Sequence, residues 1–215
     1  MECLTARLVG YGTNNVPNPP YIEGKIRLTP VNSRQPMNAL IALARFIDAL
    51  NERIGRGAFW FVLATAVVSA INALIRYGFG RSSNGWLEVQ WYLFAAVFLL
   101  AAGYTLKHNG HVRIDILYGR LSARGQAWID LAGSLLFLLP FSALMLWLSW
   151  PGFIESFHSG ETSPDAGGLI RWPVRLLMPL GFGLLMLQAI AEAIKCVAFL
   201  HGIDLRSHEK PAEEV

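Results

Sequence analysis

The sequence predicts an all-α membrane protein with four transmembrane helices. Its 215 residues are 53% hydrophobic and only 15% charged, whereas soluble domains carry about 25% charged residues. The apolar residues are concentrated in four stretches, residues 58–77, 88–106, 127–150 and 172–200. Each has roughly 20 residues or more, the length that a helix needs to cross a ~30 Å hydrocarbon layer. Indole rings favour membrane interfaces, and tryptophans near the stretch ends support these boundaries: Trp86, Trp91, Trp128, Trp147, Trp150 and Trp172.

The beginning of the chain differs in composition from the rest. Residues 1–36 are rich in Pro, Asn and Gly and lack the apolar run of a signal peptide. We therefore expect a disordered leader. An alternative is that translation starts at Met37, because amphipathic periodicity begins abruptly there.

Residues 37–56 have the pattern of an amphipathic helix. Apolar side chains recur at spacings of three and four, which places them on one stripe: Leu40, Leu43, Ile47, Leu50 and Ile54. Charged side chains project from the opposite side, and Glu52 and Arg56 have the i,i+4 spacing of a favourable ion pair. We expect this helix to lie in the membrane interface or against a partner. A surface helix without a partner is the alternative.

Residues 57–200 are predicted to form the four-span membrane domain, followed by a cytoplasmic tail at residues 201–215. Pro140 lies midway along the third span, where a missing backbone donor is expected to kink the helix. The fourth span contains a proline and two glycines in its first half: Pro179, Gly181 and Gly183.

The distribution of Lys and Arg predicts the orientation of the spans. The flank before span one, the connection between spans two and three, and the C-terminal end carry ten of these residues, against four in the other two loops. Positive charge accumulates on the cytoplasmic side of a membrane. Both termini and residues 107–126 are therefore predicted to be cytoplasmic, with residues 78–87 and 151–171 outside. The net charge of +3 follows from this bias and does not indicate a nucleic-acid partner.

The segment LKHNGHVRIDIL, residues 106–117, places His108, His111 and Asp115 at spacings that would suggest a metal site in a soluble protein. An Asn-Gly turn signal separates the two histidines, so we do not expect them to act as ligands on one regular helix. The residues after the turn instead predict a short cytoplasmic interfacial helix between spans two and three. Its basic face is expected to contact the phosphates of membrane lipids through Arg113, Arg120 and Arg124.

Patterns typical of catalysis or cofactor binding are absent from the sequence. It has no Cys-x-x-Cys pair, Gly-rich phosphate loop or arrangement consistent with a catalytic triad. All five histidines lie in loops or at span ends, where they could not face each other as axial haem ligands. We therefore expect no enzymatic activity, no cofactor and no metal site.

Few polar groups are expected at the middle of the membrane, where a translocated solute would need them. Gln188 is the main one, because the serines at that depth can bond to their own helix backbone. Glu192 and Lys195 lie near an interface, and their i,i+3 spacing allows them to neutralise each other. The chain is therefore not expected to translocate a solute alone.

Two segments together carry a family pattern. Residues 86–117 have Trp and Glu at the mouth of the second span, a Gly near its end and His-Val-x-x-Asp beyond it: Trp86, Glu88, Trp91, Gly103, His111, Val112 and Asp115. Residues 161–188 contain Ser-Pro, Trp-Pro and Pro-x-Gly-Phe at the entry to the last span. With four spans in this order, the chain resembles the DctQ-type small membrane subunit of tripartite ATP-independent periplasmic (TRAP) transporters over about residues 37–200. Val89 stands where that family often has a second acidic residue.

The resemblance implies a role in sodium-driven uptake of a carboxylate-type solute across a bacterial inner membrane. A periplasmic solute-binding protein of DctP type would deliver the solute, and a large membrane subunit of DctM type would move it. The small subunit would bind the large one and brace it in the bilayer. Candidate residues for partner contact are Trp86, Glu88, Trp91 and Gln188.

Two other functions remain open at this level. A stand-alone small channel or exporter would give solute flux without any other chain. A membrane redox subunit, the less favoured of the two, would contain haem or a metal. The small number of polar groups at mid-depth argues against the first function, and the histidine positions argue against the second.

Overall fold

The helices of this chain account for nearly all of the residues that the computed structural model describes, which are residues 34–80, 83–108, 110 and 121–203. Helix α1 is Arg34–Phe79 and α2 is Asn84–Lys107. Helix α3, Ala123–Gly133, continues through a π-helical turn, Ser134–Leu138, into α4, Leu139–Ser159. Helix α5 is Trp172–Leu200. Within these ranges, β pairing is limited to a bridge between Thr162 and Ile170.

Four helical segments are long and apolar enough to cross a membrane: Met37–Phe79, Asn84–Lys107, Ala123–Ser159 and Trp172–Leu200. They confirm the predicted all-α class and the four spans. The predicted short helix between spans two and three falls on residues 111–120, outside the described part of the chain. Residues 1–33 of the leader and 204–215 of the tail also lie outside it.

The predicted amphipathic helix and the first span form one continuous helix. At 46 residues, α1 is about 69 Å long, roughly twice the thickness of the hydrocarbon layer. The helix runs through Gly55 without a break. The glycine at this position is explained by packing, because a Cβ atom there would overlap Tyr104 of α2. Whether residues 37–56 lie in the membrane interface stays a prediction.

The face of α1 that packs inward agrees with the predicted apolar stripe only in part. Ile47 is buried as predicted, whereas Leu40 and Leu43 are 44% and 46% exposed. The buried residues of this half are rotated relative to them and are mostly small or polar: Ile41, Ala44, Ile47, Asn51, Gly55 and Ala58. Small side chains let α1 approach its neighbours closely, and this determines the face that packs inward.

Helix α5 is the centre of the bundle, and α1, α2, α3, the π-helical turn and α4 all pack against it. In its most apolar 18-residue window 39% of the residues are buried, against 11% for the corresponding windows of α1 and α2. Three alanines of α5 are fully buried: Ala189, Ala191 and Ala198. A central helix rich in small residues allows close helix packing in the absence of a hydrophobic driving force between spans.

The third span contains a π-helical turn, Ser134–Leu138, that ends two residues before Pro140. Pro140 has no N–H to donate to the preceding turn, and the kink expected there stays a prediction. The Ser142 hydroxyl donates to the carbonyl oxygens of Leu138 at 2.7 Å and Leu139 at 3.1 Å. This side-chain bonding within the helix confirms the role expected for that serine.

We expect Gly181→Ala to destabilise the bundle. A Cβ atom at Gly181 would lie 2.7 Å from the Cβ atom of Leu99 and 2.8 Å from its carbonyl oxygen, so α2 and α5 would have to separate. Overpacking of this kind costs about 1–3 kcal/mol, and thermal unfolding of the detergent-solubilised protein would show a lower Tm. Gly183→Ala on the same helix is the matched control, since nothing lies within 4 Å of its Cβ position. Equal Tm values for the two variants would contradict this account of the α2–α5 contact.

Candidate functional site

A buried polar network joins α1 to α5, and we call it the inner network: Asp48, Asn51, Gln188, Glu192 and Lys195. The Gln188 amide nitrogen donates to Asp48 Oδ1 at 2.8 Å and to Glu192 Oε1 at 3.2 Å. The Lys195 ammonium donates to the same two carboxylates, at 3.1 Å to Asp48 Oδ2 and 2.8 Å to Glu192 Oε1. Asn51 completes the network by donating to Gln188 Oε1 at 2.8 Å.

The charges of the inner network are largely shielded from solvent. The side chains of Lys195, Asp48 and Glu192 are 7%, 15% and 21% exposed. Removing one partner from such a buried arrangement leaves an uncompensated charge, which costs far more than an exposed ion pair contributes. The network therefore fixes both the distance and the register of α1 against α5. The Glu192–Lys195 pair confirms the neutralisation expected from their spacing.

Asn51 also forms the junction at which α1, α2 and α5 meet. Its amide nitrogen bonds to Gln188 of α5, and its Oδ1 lies so close to Gly103 of α2 that a Cβ atom there would overlap it. That oxygen is buried and has no hydrogen-bond partner among the described residues. Packing against Asn51 therefore requires a glycine at position 103.

A second ionic cluster connects α1 to the end of α2. The Glu52 carboxylate accepts from Arg56 at 2.8 Å, from Lys107 at 3.0 Å and from His108 at 2.8 Å. The Arg56 contact confirms the i,i+4 pair predicted from the sequence. Lys107 is the more buried cation, with its side chain 13% exposed, whereas Arg56 is 74% exposed. The cluster therefore ties the two helices together chiefly through Lys107 and His108.

Glu88 anchors the loop between α4 and α5 to the mouth of α2. Its Oε2 accepts a hydrogen bond from the backbone N–H of Leu169 at 2.6 Å. The loop is closed by Ser163 N–H donating to the Leu169 carbonyl and Arg171 N–H donating to the Glu161 carbonyl, both at 2.9 Å. Glu88 thus orders a loop that the sequence showed only as a polar connection.

Glu161 is held by two arginines at the start of α5. Its carboxylate accepts from Arg171 at 3.2 Å and from Arg175 at 2.8 Å. Burial raises the pKa of Glu161, but the hydrogen bond from Arg171 and the positive charges of Arg175 and Arg171 outweigh it and hold the pKa below its ordinary value of 4.5. The stabilisation from this carboxylate is therefore present above pH 4.5 and is lost as the pH falls through the lower folded-state pKa.

The predicted partner-contact residues fall into two groups. Trp86 and Trp91 are 45% and 76% exposed. Glu88 lies between them in the sequence, and its carboxylate accepts a hydrogen bond from the loop between α4 and α5. Gln188 is completely buried in the inner network. A fully buried amide offers no surface to another chain, so we assign Gln188 to internal packing and keep the other three as predictions.

The predicted lipid-contact and metal-ligand residues are only partly described. Arg124 is exposed in the first turn of α3, whereas Arg113 and Arg120 lie outside the described residues. His111 and Asp115 of the rejected metal site also lie outside them. In the described ranges there is no group of three or more His, Cys, Asp or Glu residues that could hold a metal ion.

Sequence reasoning missed the inner network because it placed the charged side chains of residues 37–56, Asp48 among them, on the polar, outward face of an amphipathic helix. One signal was present. Asn51 is followed by Gly55 and Ala58 at helical spacing, which is the pattern of a close helix contact with a polar group in it. The pattern indicates the contact, but it does not identify Gln188 as the partner.

We expect Lys195→Met to destabilise the protein strongly, because Asp48 and Glu192 would lose their shared cation. The cost of removing one partner of a buried ion pair is about 3–5 kcal/mol, measurable as a lower Tm in detergent. Adding Asp48→Asn and Glu192→Gln to the same variant removes the stranded charges and should restore most of the stability. Arg45→Met, at an exposed position of α1, is the control. A small effect of Lys195→Met, similar to that of Arg45→Met, would show that the network carries little of the α1–α5 contact.

Comparison with known proteins identifies the family. The family model for the DctQ component of tripartite ATP-independent periplasmic transporters matches residues 65–199. Comparisons with curated proteins and with solved structures gave no match. The matched range covers more than half of the chain, from the first span to the end of α5, and agrees with the resemblance found in the sequence. The chain belongs to the DctQ family and is a small membrane component of a TRAP transporter.

Proposed function

We propose that this subunit braces a large DctM-type membrane subunit during sodium-driven uptake of a carboxylate-type solute that a DctP-type periplasmic protein delivers. The subunit would lie in the inner membrane of a bacterium with both termini in the cytoplasm. The observation that carries the proposal is that most polar side chains described within the spans form hydrogen bonds to other parts of this chain.

The polar groups at depth support a structural role. Gln188 and Asn51 bond to each other, and Ser142 bonds to its own helix. Three buried side-chain oxygens of the described residues have no hydrogen-bond partner: Asn51 Oδ1, Asn72 Oδ1 and Ser156 Oγ. Solute and ion pathways use several converging polar groups, whereas Asn51 and Asn72 lie about 31 Å apart along α1 and Ser156 is on α4. A chain of this kind suits a scaffold better than a carrier.

The outward surface of α2 supports a contact with another membrane helix. Trp91, Phe94 and Phe98 follow one another at spacings of three and four and are 76%, 67% and 71% exposed. Trp86 lies near the mouth of the same span, five residues before Trp91 and therefore on another side of the helix. We place the contact with the large subunit on this row, with Glu88 holding the adjacent loop in position. Large rigid aromatic side chains are the usual anchors of protein interfaces.

The function itself is tested by reconstitution into liposomes. The purified small subunit alone should give no sodium-dependent uptake of labelled carboxylates, because it lacks a site for the solute. Uptake should begin when the large subunit and the binding protein are added, and it should fall when the small subunit is omitted. Flux through the small subunit alone would instead support the stand-alone channel or exporter. A haem or metal spectrum of the purified chain would support the redox alternative.

We expect Trp91→Ala to reduce recovery of the large subunit when a tagged small subunit is purified from membranes. Truncating a central aromatic anchor commonly costs 2 kcal/mol or more, which is a loss of more than tenfold in affinity. Trp147→Ala is the matched control, because Trp147 is 78% exposed on α4, on a different surface of the bundle. Undiminished recovery with Trp91→Ala, or an equal loss with both variants, would contradict the placement of the contact on α2.

A further inference from the structure

An apolar groove runs along α5 between α1 and the third span, at the end of the bundle where α1 begins and α5 ends. It has a volume of about 300 Å³, and only apolar side chains line it, chiefly Met37, Leu40, Leu131, Leu135, Ile190 and Val197. Such a groove does not hold ordered water, which needs polar partners.

The third-span wall of the groove continues outward as a face with a different chemistry. Leu139, Leu135 and Leu131 line the groove, and Trp128 and Arg124 follow on the same face at helical spacings of three and four. Trp128 is 61% exposed, and Arg124 is exposed with no carboxylate partner in the described part of the chain. From the groove outward, the face therefore presents apolar leucines, then the amphipathic Trp128 and then the cationic Arg124.

The length of this face matches one leaflet of a bilayer. At 1.5 Å per residue, Leu139 and Arg124 are about 22 Å apart along the helix. Half of a bilayer with its headgroup regions is about 20–22 Å thick. Trp128 and Trp150, near opposite ends of the span, are about 33 Å apart by the same rule, close to the ~30 Å of the hydrocarbon core. The groove therefore lies at the depth of acyl chains and Arg124 at the depth of phosphates.

We propose that this groove binds one acyl chain of an anionic phospholipid and that Arg124 contacts the headgroup phosphate of the same molecule. The arginine makes the ligand a lipid with a negative headgroup, since an apolar groove alone would take any chain. Leu135 lines the groove and is 45% exposed, so a larger side chain at this position would fill the space for the chain. The inference does not depend on the bracing role, because it concerns the surface of this chain alone.

The test uses the full-length chain in detergent with small amounts of defined lipid. Phosphatidylglycerol and phosphatidylcholine, each with the same photoreactive acyl chain, are cross-linked and the labelled peptides are identified. We expect labelling of residues 131–139 and 190–197 to be about fivefold higher with phosphatidylglycerol, the preference that one arginine near an anionic surface confers. Arg124→Gln should remove the preference, and Leu135→Trp, which fills the groove, should reduce labelling by both lipids at least fivefold.

Two matched variants control for general effects on the fold and on charge. Leu136→Trp introduces the same side chain one residue further along, at a position 69% exposed and outside the groove. Arg45→Gln removes an exposed arginine from α1. Both should keep the labelling and its preference.

Four results would overturn the proposal. The first is equal labelling by the two lipids, and the second is a preference that survives Arg124→Gln. The third is loss of labelling on adding unlabelled oleate but not unlabelled phosphatidylglycerol, which would assign the groove to a free fatty acid. Cross-links from the groove to a second copy of the chain would likewise reject the lipid.

Discussion

The fold depends on a lysine ammonium and a glutamine amide that bridge the same two carboxylates. Lys195 and Gln188 each donate to Asp48 and to Glu192. Because each bridging group contacts both carboxylates, a shift of α1 along α5 by one turn would break several bonds at once. Apolar packing between alanines tolerates such sliding, since one turn of small residues resembles the next. The inner network therefore supplies the register, and the small residues supply the close distance.

The same division of roles recurs at both ends of the bundle. Glu52 fixes α1 to the end of α2, and Glu88 and Glu161 fix the loop before α5. Between these clusters the helices meet through glycines and alanines, as where Gly181 approaches Leu99. Charged groups are tolerated near the membrane interfaces, whereas mid-membrane contacts rely on close packing. The positions of the ionic clusters thus follow from the cost of burying charge at depth.

Much of the fold could be predicted because its determinants are local. Span length, the Glu52–Arg56 pair, the Glu192–Lys195 pair and the bond from Ser142 to its helix all depend on spacing within one helix. The contact of Asp48 with Gln188 joins residues 140 positions apart, and no periodicity in either helix identifies it. The continuity of α1 was missed for a related reason. Its glycines and basic residues have the composition of a helix boundary, and only the packing of Tyr104 on Gly55 explains the glycine.

The inner network also bears on where movement occurs in the transporter. In many transport proteins, polar residues inside the membrane form the path of the solute and change partners during the cycle. In this chain Lys195, Gln188 and Asn51 are bonded to other parts of the chain, and each change of partner would leave a buried charge or amide unsatisfied. Such a body resists rearrangement and can move only as a unit. This resistance to rearrangement suits the bracing role that we propose for the chain.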